Sequence, residues 1–254
     1  MKLLRLGLAV ALLSVLPGTT NAATATAPER QIMDNVNAAR AEHGLAPLRS
    51  DWRLWVMADQ RAAAMASADV LSHGVAGSVQ SGLDARGIQW HGHGEVIAYS
   101  TGSGETAAAH LFDLWVSSPA HYALLVSGSF NYLGVGTSRS GSGRTYGSIV
   151  LTESNDRTGA RATMVSGAVV GNDVRWTWRG ADPLLQTRTA GLRDFAVQQR
   201  TDKGSWVTVS SATTNTARTA LNRPGGHWYG LRVRARDRSG NVGPWSAERR
   251  VWVP

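Results

Sequence analysis

The sequence predicts an α+β domain followed by an all-β sandwich. Two patterns and one absence predict it. Between about residues 28 and 125 apolar side chains recur at helical spacing, and strand-like runs follow them. Beyond about residue 160 they alternate with a period of two between glycine- and proline-marked turns. No cysteine occurs among the 254 residues, so no disulfide staples either part, and the 43% hydrophobic content must build the cores unaided.

Taken in chain order, Pro28 to His43 reads as a helix. Ile32, Met33, Val36 and Ala39 fall on one face, and Gly44 stands where a C′ glycine stops the chain. Ser50 or Asp51 caps a second helix from Trp52 to about Asp69, with an apolar stripe of Trp55, Ala58, Ala62 and Met65. Gly82 to Arg86 forms a short helical turn closed by Gly87. Gly104 to Ser117 is a third long helix presenting Ala108, Leu111, Phe112 and Trp115. Ser118 and Pro119 break it and start another that carries His121, Leu124 and Leu125.

Asn131 to Thr137 and Tyr146 to Thr152 are strand-like and flank a turn over Ser138 to Arg144. Residues 155 to about 171 read as linker or edge strand. After them Val174, Trp176 and Trp178 alternate on one face, as do Phe195, Val197 and Gln199, Trp206 with its neighbours Val207 and Val209, and Tyr229, Leu231, Val233 and Ala235. Asp202-Lys203-Gly204, Pro224-Gly225-Gly226 and Arg238-Ser239-Gly240-Asn241 mark turns. By this alternation the tryptophans are mostly core.

Three groups stand out chemically: His73, Glu95 and His121. Two imidazoles and a carboxylate suit a divalent-metal site or acid/base work, but at intervals of 22 and 26 residues only the fold can bring them together. His91 and His93 would share a face with Glu95 in an extended strand. Gly92 and Gly94 weaken that strand, which leaves both histidines auxiliary. There is no Gly-x-Ser-x-Gly elbow, Walker loop, dinucleotide fingerprint or His-Glu-x-x-His helix, and cysteine nucleophiles and ligands are excluded.

Five segments in order resemble the CAP superfamily of cysteine-rich secretory, antigen 5 and pathogenesis-related proteins, in its compact bacterial form. They are Asn37, Arg40, Gly44, Leu45, Pro47 and Leu48; Ser72-His73; Gly94-Glu95 with Ile97-Ala98; Trp115 with Ser118, Pro119 and His121; and Gly134 to Gly136. The resemblance covers residues 28–154 and implies a three-layer α-β-α sandwich with a cleft over the histidines. It also implies His73, Glu95 and His121 as its functional residues, with His73 and His121 as ligands of a divalent metal such as zinc or magnesium. Two departures matter. Val96 replaces the usual asparagine, and Ser118 stands where longer relatives carry a second glutamate. Without that carboxylate an acid/base pair is incomplete, whereas a two-histidine metal site is not. Residues 160–254 resemble a fibronectin type III domain through the run Tyr229 to Ser246, with Tyr229 as its corner tyrosine.

The chain starts with Lys2 and Arg5, an apolar run from Leu6 to Leu16, and Thr20-Asn21-Ala22 before Ala23. That is the order of a secretory signal peptide over 1–22, and it implies a secreted bacterial protein with no transmembrane segment after cleavage. Charge is divided. Residues 29–154 carry eight arginines against eleven acids, whereas residues 155–254 carry fifteen arginines and Lys203 against seven acids. The basic second domain could contact anionic surfaces; nucleic acid is not the expected partner. Two functions stay open: a binding protein for a lipid or cell-envelope polysaccharide ligand, and a metal-assisted hydrolase using Glu95 as acid/base.

Overall fold

Helix α1 (Ala27–Glu42) begins in a reciprocal cap. Thr26 Oγ1 accepts from the Glu29 amide, Glu29 Oε2 accepts from the Thr26 amide, and Pro28 sits in the first turn. The computed structural model describes residues 25–254 other than 172, 213–215 and 220–223, so the expected signal peptide lies outside the described residues. Asp51 caps α2 (Trp52–Ala68), and α3 (Val79–Ala85), α4 (Gly104–Val116) and α5 (Pro119–Leu125) follow. These bounds match the periodicity to within a few residues.

Between the helices lies a sheet of β1 (Arg49–Ser50), β2 (Trp90–Ser100), β3 (Tyr132–Arg139) and β4 (Thr145–Ser154), in the order β1-β3-β4-β2. On one face, Ile149 and Leu151 of β4 and Val96 and Ala98 of β2 pack with Val36 of α1 and Leu111 and Trp115 of α4. On the other, Val150 packs with Leu54, Met57 and Ala58 of α2. This is the three-layer α-β-α sandwich that the resemblance implies. Despite Gly92 and Gly94, β2 is continuous, because β4 pairs with it from Gly92 to Ser100 beyond a single bulge. It is an outer strand of the sheet.

Gly134 and Gly136 show why helix α2 can lie so close to the sheet. A β-carbon on Gly134 would stand 2.0 Å from the Leu54 carbonyl carbon, and one on Gly136 would stand 2.2 Å from that of Ala58. Asn37 and Arg40 fix the turn after α1. The Asn37 side chain exchanges hydrogen bonds with the Leu48 backbone, and the fully buried Arg40 donates to the carbonyls of Ala46, Leu125, Ser127 and Phe130. Burial pulls the Arg40 guanidinium down to about 10. These two motif residues are staples of the fold.

The second domain is a sandwich of two sheets. One is β5 (Arg161–Val170), β6 (Asp173–Ala181) and β9 (Thr216–Thr219), in the order β5-β6-β9. The other is β7 (Leu192–Thr201), β8 (Val207–Ala212), β10 (His227–Asp237) and β11 (Arg249–Val253), in the order β11-β10-β7-β8. Val174, Trp176, Trp178, Phe195, Val197, Leu231 and Val233 fill the space between them. Tyr229 donates its hydroxyl to the Pro224 carbonyl at 2.9 Å, the corner that the fibronectin type III resemblance implies.

Within the stretch read as linker or edge strand, Arg161–Val170 is β5, an outer strand of its sheet, and residues 155–160 join the domains. One sequence expectation needs correction. Trp206 and its neighbours are not core: β8 is an outer strand, Val207 and Val209 face solvent, and Trp206 lies outside the sandwich between two arginines. Of the second domain's tryptophans only Trp176 and Trp178 are buried in its interior.

The domains are packed against each other. Leu185, between β6 and β7, is buried with Leu54, Met57 and Tyr132 of the first domain. Gln186 Oε1 accepts from the Ala46 amide, Asn131 Nδ2 donates to the Thr187 carbonyl, and Arg188 pairs with Glu153. Asp156, Asp182 and Asp237 gather at the same junction. Burial, with the neighbouring Asp156 and Asp237 carboxylates, holds Asp182 above the ordinary aspartate range. No helix among the described residues is long and apolar enough to cross a membrane.

Candidate functional site

Glu95 sits in β2 on the face that looks toward α2, and its carboxylate is almost wholly buried. A lone carboxylate there would be costly, and α2 supplies the counter-charge. Arg61 donates from Nε to Glu95 Oε1 and from Nη2 to Oε2 at 2.9 Å, a two-point clamp on both oxygens. Ser148 of β4 donates its hydroxyl to Oε1 at 2.9 Å. His73 Nδ1 lies 2.7 Å from Oε2. An ionised carboxylate only accepts, so the neutral His73 tautomer that fits has its proton on Nδ1 and leaves Nε2 bare.

The clamp also builds the loop after α2. Arg61 Nη2 donates to the His73 carbonyl at 2.6 Å and Nη1 donates to the Gly77 carbonyl at 2.9 Å. One guanidinium therefore holds the carboxylate, the histidine backbone and the following turn together. The His73 side chain is 57% exposed, while its Nδ1 is anchored on Glu95.

His121 lies beside a later part of β2, residues 97–99. It is held on α5, and together with Leu71, Ile97, Tyr99, Leu114 and Trp115 it lines a cavity of about 430 Å³. Ser118 lines it too, at the position where longer relatives of the resembled family carry glutamate. The walls are mostly apolar, and His121 is one of the few polar groups among them.

The structure thus joins His73 directly to Glu95 and sets His121 on the wall of a cavity whose lining includes neither of them. Among the described residues, the three acidic or imidazole groups whose ligand atoms lie within 4.8 Å of one another are Asp156, Asp182 and Asp237, not this trio. His91 bonds the Asn155 side chain and His93 lies edge-on to Trp90, so neither joins the site. His110 bonds Ser100 and contributes to the cavity wall. Val96 points into the core opposite Glu95.

Arg61 and Ser148 are site residues that the sequence reading misses. A signal for Arg61 exists. Position 61 falls three after Ala58 and four before Met65, on the buried stripe of an alanine-rich helix, where a cation demands a buried anion. Ser148 carries no such mark.

The sequence profile described as the cysteine-rich secretory protein family, CAP, matches residues 33–152. Over 116 residues the chain is 31% identical to a protein described as uncharacterized membrane protein YlbC of Bacillus subtilis, covering 45% of this chain. It spans about a third of that relative's length, 32%. An extracellular SCP-domain protein from Bacillus anthracis is similar over 49% of this chain and 40% of its own, at 24% identity and a TM-score of 0.43. An outer surface protein from Borrelia burgdorferi is similar over 52% of this chain and 96% of its own, at 13% identity and a TM-score of 0.46. The α-β-α layering and the profile agree over the same stretch, so residues 33–152 form a domain of the cysteine-rich secretory protein (CAP) family.

Proposed function

We propose that this is an exported binding protein whose first domain takes a lipid-like or cell-envelope ligand in the cleft along β2. The apolar body of the ligand lies in the cavity beside Ile97, Leu114 and Trp115, and its polar head meets His121 and the bare Nε2 of His73. The observation that carries this reading is the commitment of Glu95: both of its oxygens already accept from Arg61, Ser148 and His73. A general base needs a lone pair within reach of the proton it abstracts. Glu95 instead positions His73.

If a divalent metal binds, the same commitment keeps Glu95 out of its ligands. His73 Nε2 and His121 are the available imidazole donors, and Glu95 would act one shell out by fixing the His73 tautomer. Nitrogen donors suit zinc better than magnesium, which prefers oxygen. Bound there, the ion would supply a Lewis-acidic anchor for an anionic or carbonyl head group.

Titration with a fluorescent long-chain fatty acid tests the cleft. The reading predicts saturable binding that Leu114→Arg abolishes, and zinc calorimetry weakened by His73→Ala and by His121→Ala. Turnover of a hydrolase substrate panel that disappears in Glu95→Gln would overturn it in favour of a hydrolase.

A further inference from the structure

We infer that the outer face of the four-stranded sheet in the second domain is a binding comb for a base-free phosphodiester polymer such as a polyol phosphate. This face is separate from the cleft, and it carries two tryptophans interleaved with three arginines. The Arg200 and Arg232 guanidinium carbons lie 4.7 and 4.3 Å from the Trp206 ring centroid. Those of Arg232 and Arg234 lie 4.7 and 4.6 Å from the Trp245 centroid. The order along the stack is Arg200, Trp206, Arg232, Trp245, Arg234.

Stacking fixes each guanidinium plane and leaves its N–H edge as the part that can still meet a ligand. The charges along the stack are not equal. Arg200 is neutralised by a two-point contact with Glu248. Among the described residues, Arg232 bonds only the uncharged Gln198 side-chain oxygen. Arg234 has no acidic partner among the described residues, and its Nε is buried without an acceptor. Two uncompensated cations therefore stand two residues apart on one face of β10, roughly 7 Å along the strand. Their spacing and pre-ordered edges suit successive anionic groups of a linear polymer.

The stack also decides which polymer. Single-stranded nucleic acid is gripped by bases stacking on open aromatic faces. Here each of the Trp206 and Trp245 rings already carries two guanidiniums at 4.3 to 4.7 Å from its centroid, so a base or a sugar ring must compete with them to stack. Recognition falls to the anionic groups, which a polyol phosphate presents without bases.

The test measures binding of the full chain to poly(glycerol phosphate) across a salt series. Oligothymidylate of equal charge and phosphatidylglycerol vesicles are run beside it. The expected result is salt-sensitive binding to the polymer, tighter than to either comparison. Affinity should drop at least tenfold in Arg232→Gln/Arg234→Gln, and the log–log salt slope should fall by about one per arginine removed. Arg161→Gln/Arg175→Gln/Arg179→Gln removes three exposed charges from the opposite sheet and should change affinity less than threefold. If the first variant melts abnormally, Arg232→Lys/Arg234→Lys replaces it; charge is kept and the planar fork is lost, so weaker binding is again expected. Equal losses from both faces, unchanged affinity in the lysine variant, no polymer binding at low salt, or equal or tighter binding of oligothymidylate or vesicles would overturn the inference.

Discussion

Arg61 Nη2 lies 2.9 Å from Glu95 Oε2, and the same nitrogen donates to the His73 carbonyl 2.6 Å away. The helix, the edge strand and the histidine loop thus meet on one atom. Both side chains of the ion pair are at least 95% buried. Removing one partner strands a charge, and such losses cost about 3–5 kcal/mol. Arg61→Met should lower stability by that order in urea titrations. Arg61→Met/Glu95→Met should recover most of the loss without restoring the His73 geometry.

The contact between α2 and β3 predicts a second effect. Gly134→Ala places a methyl inside the backbone of Leu54, where no side-chain rotamer can relieve the clash. Overpacking typically costs about 1–3 kcal/mol when side chains can adjust. Here the expected loss reaches or exceeds the upper end of that range. Gly141→Ala, with open space around it, should be nearly neutral in the same thermal melts.

Asp59 in α2 predicts the pH dependence. Burial and the adjacent Glu29 carboxylate push it from its ordinary value of 3.8 up to about 7. Glu29 already accepts from Thr26 and from the backbone and hydroxyl of Thr137, so the shared proton resides on Asp59. Below about pH 4 both folded and unfolded chains hold that proton. Between about pH 4 and pH 7 only the folded chain does, so stability falls as pH rises and then levels off. Asp59→Asn should flatten this part of a stability–pH curve measured by urea denaturation.

Leu185 predicts how the domains behave together. It belongs to the second domain yet is only 2% exposed, because it is buried against Leu54, Met57 and Tyr132. Truncating a buried leucine costs about 2–5 kcal/mol. Leu185→Ala should therefore weaken the junction and split one calorimetric transition into two. It should also expose residues 155–160 to limited proteolysis.

Legibility in the sequence follows how local the cause is. Helices α1, α2 and α4 are readable because Ile32 and Val36, Ala58 and Met65, and Leu111 and Trp115 repeat at the helical period and are buried, the first and last pairs on one side of the sheet and α2 on the other. The buried strand pairs of the sandwich are readable from Trp176 and Trp178 or Val197 and Phe195. Trp206 misleads because alternation tells two faces apart but does not say which one meets water, and on this outer sheet face arginine substitutes for a core. The site is half legible. His73, Glu95 and His121 come from a family pattern, but the partner that sets the role of Glu95 stands 34 residues away on another element. Nothing in the spacing around Glu95 points to it.

The most direct test of the central claim is the His73 tautomer, read from long-range ¹H–¹⁵N couplings at a pH where the ring is neutral. The clamped Glu95 should hold the proton on His73 Nδ1 and leave Nε2 unprotonated, and Glu95→Gln should release that preference. A wild-type ring protonated on Nε2, or one whose tautomer ignores Glu95→Gln, would contradict the assignment of Glu95 as the group that orients His73.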